Sequence, residues 1–210
     1  MNDPQMAVAE SPAALPDEAA APARRARPKP GERRLQILQA LAEMLQQPGG
    51  ERVTTAALAA RLEVSEAALY RHFASKAQMF EGLIDFIEQS VFGLIQQIDE
   101  REPVPWRQAR MVIAMVLQFA ERNAGMARVM AGDALVQENE RLQARMNLLF
   151  DKLESAFKQR LREAGRADAV ALGAVLTAFV MGRLQRYARS GFKRAPTEQL
   201  EACLQALLPD

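Results

Sequence analysis

The chain has 210 residues, 49% hydrophobic and 25% charged, with a formal net charge of +1, enough apolar material for one sizeable core or two small ones. Aromatics are only 6% of the chain beside abundant Ala, Leu, Arg, Glu and Gln, a mix that favours helices over strands. A single cysteine, Cys203, and a single histidine, His72, exclude an intrachain disulfide and any Cys/His metal cluster, so neither metal nor cofactor is expected.

Residues 1–30 hold six of the eleven prolines, many alanines and no apolar period, which predicts a disordered tail. Its end, "RRARPKP", is basic and suits an arm that adds phosphate contacts. The first twenty residues lack the basic and apolar regions of a secretory signal, and "ALGAVLTAFVMG" at 171–182 is shorter than the ~20 residues of a membrane span, so a cytoplasmic location without membrane insertion is expected. The near-zero net charge hides an asymmetry. From Arg24 to Lys76 ten Lys/Arg face five Glu, a local +5 that leaves −4 for the remainder, and a basic first part predicts a polyanionic partner.

Leu35, Leu38, Leu41, Ala42 and Leu45 follow helical spacing until "QQPGGE" ends a first helix. Thr54 or Thr55 caps a short second helix to about Leu62, and Ser65 caps a third to about Phe73, which leaves almost no connection between them. Ser75 and Gln78 form a capping box for a long fourth helix with an inward stripe of Phe80, Leu83, Ile84, Ile87, Val91, Leu94, Ile95 and Ile98. Pro105 opens a fifth helix that ends near Asn123, and "MARVMA" makes a short sixth. A seventh runs from Val136 to Ala164 and stops at Gly165, an eighth covers 168–190, and a ninth is opened by Pro196 and Thr197. The expected fold is all-α with about nine helices: the tail, an N-terminal three-helix domain at 31–91, and a C-terminal helical core at 92–210.

Two short capped helices joined by a tight turn make a helix-turn-helix at about 54–73. Leu58, Leu62, Val64, Leu69 and Phe73 are spaced to pack the unit, leaving Ser65, Glu66, Ala67, Ala68, Tyr70, Arg71 and His72 outward. Ala67 and Ala68 let the third helix approach the floor of a major groove, where a methyl group meets a thymine methyl. Tyr70, His72 and Lys76 suit phosphates, as do the hydroxyls and backbone N–H groups of Thr54 and Thr55. The stretch "TTAALAARLEVSEAALYRHFASKAQMF" at 54–80, with its L-Y-x-H-F-x-S-K core, resembles the DNA-binding domain of the TetR family. Glu63 departs from that pattern by standing at a turn position usually held by Gly.

Beyond this domain, "LIDFIEQS" (83–90), "QFAERNAGMARVMAGDAL" (118–135), "NERLQARMNLLFDKLE" (139–154) and "GRLQRYARSGFKRAPTE" (182–198) are similar to the nucleoid occlusion branch of that family. The resemblance implies a nucleoid-associated inhibitor of cell division that occupies palindromic double-stranded DNA sites and disrupts polymers of FtsZ, the tubulin-like division protein. On the fourth-helix wheel Phe86 falls outside the inward stripe, and with Arg122 and Asn123, in a region the resemblance also marks, it forms the candidate FtsZ contact. Ala174, Ala178 and Gly182 recur every four residues beside Phe179, a smooth stripe that predicts a homodimer interface and leaves the number of dimers per DNA site open. The competing reading is a ligand-released repressor of TetR type. Catalysis is not expected, since no nucleotide-binding, nucleophile or metal motif is present.

Overall fold

The computed structural model describes residues 31–47, 53–135 and 140–209. Among them are nine helices and no strand: α1 (Glu32–Leu45), α2 (Thr55–Arg61), α3 (Glu66–Tyr70), α4 (Lys76–Arg101), α5 (Pro105–Arg122), α6 (Ala124–Met130), α7 (Glu140–Glu163), α8 (Ala169–Arg189) and α9 (Leu200–Leu207). The tail expected at 1–30 and the expected start of the seventh helix at Val136 lie outside the described residues.

Helix ends follow their local chemistry. Ser75 caps α4, its Oγ accepting from Gln78 N at 3.2 Å, while the Gln78 amide oxygen accepts from Ala74 N at 2.8 Å, one residue earlier than a standard capping box. Pro105 occupies the first turn of α5, where its missing N–H costs nothing. Gly165 takes a left-handed φ of 75°, and Arg166 N reaches back to Leu161 O at 2.9 Å, which terminates α7. Two boundaries differ from expectation by three residues or more. The third helix stops at Tyr70, three residues short of Phe73. The ninth begins at Leu200 rather than at Pro196, because the Thr197 hydroxyl donates to the Glu121 carboxylate instead of capping a helix, and Gln199 turns left-handed at φ 52°.

The fourth helix joins the first three helices to the body. Its Phe80, Leu83, Ile84, Ile87 and Val91 are at most 1% exposed, as foreseen, whereas Leu94 is only half-buried. The boundary expected between 91 and 92 falls inside α4, which runs unbroken from Lys76 to Arg101, and one contiguous core extends from Ile37 in α1 to Leu208 beyond α9. Each such buried aliphatic side chain contributes roughly 1.5–3 kcal/mol. In the rear of the molecule α7 and α8 form the most extensive helix pair. On the front side α6 meets α1 so closely that a Cβ on Gly125 would lie 1.8 Å from the Ala42 carbonyl oxygen, and only glycine permits that approach.

Candidate nucleic-acid interface

The turn between α2 and α3 is built by two caps in succession. The α2 carbonyls are closed by Glu63 N to Ala60 O at 3.1 Å and Val64 N to Ala59 O at 3.0 Å, the bond pair of a Schellman motif. Such a motif requires a left-handed residue at its centre, and Glu63 supplies it with a φ of 55°. Two residues later Ser65 already caps α3, its Oγ accepting from Ala68 N at 3.2 Å. Thr54 does the same for α2, accepting from Ala57 N at 3.1 Å and keeping its own hydroxyl proton to donate.

This geometry sorts the side chains. Leu58, Leu69 and Phe73 are each 1% exposed, and Leu62 and Val64 pack half-buried against the core. Ser65, Glu66, Ala67, Tyr70 and Arg71 are exposed on the opposite side, with Ala68 and His72 half-buried at its margin. Lys76, the first residue of α4, places its ammonium 5.7 Å from the centre of the Phe80 ring. One expected role changes. The Thr55 hydroxyl donates to the Glu66 carboxylate at 2.6 Å, with the Tyr70 hydroxyl 3.5 Å away, so its proton is committed inside the unit rather than held out to a phosphate. Sequence reading also missed Arg34. Its Nη1 donates to the His72 carbonyl at 2.6 Å, and its guanidinium lies 4.1 Å above the Phe73 ring.

A second surface lies along the seam of α4 and α5. A cleft of about 340 Å³ opens between Leu94 and Arg101 of α4 and Met111, Met115 and Gln118 of α5. Phe86, about two helical turns before Leu94 on α4, is half-buried against the core, less exposed than its wheel position predicted. Arg122 is exposed one turn beyond Gln118. The Asn123 side chain closes α5 by donating to Phe119 O at 2.7 Å.

The third surface is the outer side of α8. Ala174, Ala178 and Gly182 are exposed in a row with Phe179 half-buried beside them, and Val170, Val175 and Met181 are 57%, 48% and 44% exposed. Among the described residues α8 is the one helix long and apolar enough to cross a membrane, and its other side, through Leu176, Val180 and Leu184, is sealed inside the bundle. No group of three His, Cys, Asp or Glu that could hold a metal ion occurs among the described residues.

A capped helix-turn-helix with small residues on its outward face, seated on an all-helical body, defines a TetR-type DNA-binding protein. Residues 37–83 match the family described as bacterial regulatory proteins, tetR family, and residues 106–209 match the SlmA-like group of the tetracyclin repressor-like C-terminal domain. The chain is 47% identical over 182 residues to nucleoid occlusion factor SlmA of Idiomarina loihiensis, covering 83% of this chain and 93% of that one. It is 50% identical over 176 residues to nucleoid occlusion factor SlmA of Shewanella amazonensis, covering 80% and 89%. Among solved structures, a TetR-like transcriptional regulator from Rhodococcus sp. RHA1 superposes with a TM-score of 0.69 at 19% identity, covering 88% of this chain and all of that one, which shows the shared fold. The chain belongs to the nucleoid occlusion factor SlmA family.

Proposed function

We propose that this chain is a DNA-bound inhibitor of cell division: as a homodimer it occupies palindromic chromosomal sites, and from there it engages FtsZ and disrupts its polymers, so that no septum forms across the nucleoid. One observation carries the reading. Similarity to nucleoid occlusion factors runs over more than 80% of the chain, through the α4–α5 seam and α8, instead of stopping at the helix-turn-helix that every TetR-type regulator shares.

In this mechanism α3 lies in the major groove. Ala67 and Ala68 bring its backbone close and meet thymine methyls, while Ser65, Glu66 and Arg71 lie along the base edges. The Thr54 hydroxyl, Tyr70, His72 and Lys76 take phosphates and set the register. Two copies joined across Ala174, Ala178, Phe179 and Gly182 present two such helices to symmetry-related half-sites. At the seam, Phe86 is the apolar anchor, Arg122 meets acidic residues of the FtsZ tail, and Asn123 keeps its backbone end in place. DNA then serves as both address and activator for a protein stationed on the nucleoid in the cytoplasm.

The test is light scattering of FtsZ polymers formed with GTP, with this protein added alone, with random DNA, or with a duplex enriched from a random pool by its own binding. Loss of polymer only with the enriched duplex is expected. Unchanged polymers in all three arms, with tight binding to that duplex, would sink the proposal in favour of ligand-released repression.

A further inference from the structure

The helix assigned to the groove is only five residues long, too short to hold its own shape, and its position depends on what grips its two ends. The first end is held by the Ser65 cap. The second end is held through Phe73, which is 1% exposed. Gly82 of α4 borders that ring so closely that a Cβ there would sit 3.0 Å from the ring edge. Arg34, in the first turn of α1, lays its guanidinium 4.1 Å from the ring centre. The same guanidinium donates to the His72 carbonyl at 2.6 Å, two residues beyond the last residue of α3. Phe73 thus touches both α1 and α4, and the backbone of the residue before it is tied to α1 by a charged, planar donor.

We infer that Arg34 is a positioning residue of the DNA interface: by stacking on Phe73 and bonding the His72 carbonyl it fixes the trailing end of α3, and with it the places from which Tyr70 and His72 meet the duplex. The inference rests on the reading that α3 is the groove-facing helix. Lysine keeps the charge of Arg34 and loses its planar stack and fork of donors. A positioning residue and a phosphate ligand therefore respond differently to R34K and R34Q.

The experiment measures fluorescence-anisotropy affinities of the full chain, R34K and R34Q across a salt series. Each is titrated with a duplex enriched from a random pool by the parent protein and with a random duplex of equal length. R34K is expected to lose about tenfold on the enriched duplex and less on random DNA, which does not depend on the register of α3, with the parent's salt slope on both, since no charge is lost. R34Q is expected to lose at least as much on the enriched duplex. Parent-like binding by R34K, with R34Q weakened equally on both duplexes and its salt slope shallower by about one, would make Arg34 a phosphate ligand and overturn the inference. A drop in R34K melting temperature that accounts for the lost affinity would also overturn it. Failure of the parent to enrich any duplex would instead sink the DNA reading beneath it.

Discussion

At the scale of single residues, the chain's departure from its own family pattern has a measurable cost. Glu63 holds a φ of 55°, where any side chain with a Cβ is strained, because the Schellman closure of α2 leaves no other conformation. Glu63→Gly is expected to raise stability by up to about 1 kcal/mol, read as a higher urea midpoint at unchanged slope; a lower midpoint would show that the Glu63 side chain offsets its own strain. This position was legible in advance, as were the caps at Ser65 and Ser75 and, to within one residue, the cap at Thr54, because hydroxyl residues carry their capping chemistry wherever they stand before a helix. The bond from Thr55 to Glu66 and the clamp of Arg34 on Phe73 were not. They join residues 11 and 38–39 positions apart, and local spacing says nothing about such pairs. One local sign did exist for Arg34: two arginines in the first turn of a helix stand where its dipole favours acids, which hints at a partner elsewhere.

Between elements, ion pairs fasten α4 to α7 along most of its length. Arg145 reaches Asp85 at 2.8 Å and Glu88 at 3.2 Å, Lys152 also pairs with Glu88, and Arg160 holds both carboxylate oxygens of Asp99 at 2.5 and 2.6 Å. The last pair is lopsided, with Arg160 only 5% exposed and Asp99 43%. Deleting the outer partner strands a buried cation, whereas replacing the inner one with an apolar side chain removes that cation altogether. Asp99→Ala is therefore expected to cost about 2 kcal/mol and Arg160→Met less than about 1 kcal/mol in the same chemical-denaturation assay. Equal costs would mean that the pair stabilises chiefly through its charge attraction. The helices themselves were readable from apolar period and caps. Their fastening was not, since a charged residue on a helix face looks the same whether it meets water or a neighbouring helix.

For the whole molecule, the exposed stripe of α8 was visible as small residues every fourth position, because a smooth face leaves its mark directly in residue size. Ala178→Glu, a carboxylate in the middle of that stripe, is expected to leave the helical content intact, shift sedimentation to the monomer, and weaken binding to the enriched duplex by more than 100-fold, about the gain that linking two sites provides. A variant that still sediments as a dimer would move the interface off α8. At 26 residues α4 is roughly 39 Å long, and it has no break between the helix-turn-helix at one end and the α4–α5 cleft toward the other. With α7 lashed alongside, it is a strut. Under the proposed function, a filament tugging at the cleft would transmit its load along that strut to the chromosome, and the protein would act mechanically as a mooring.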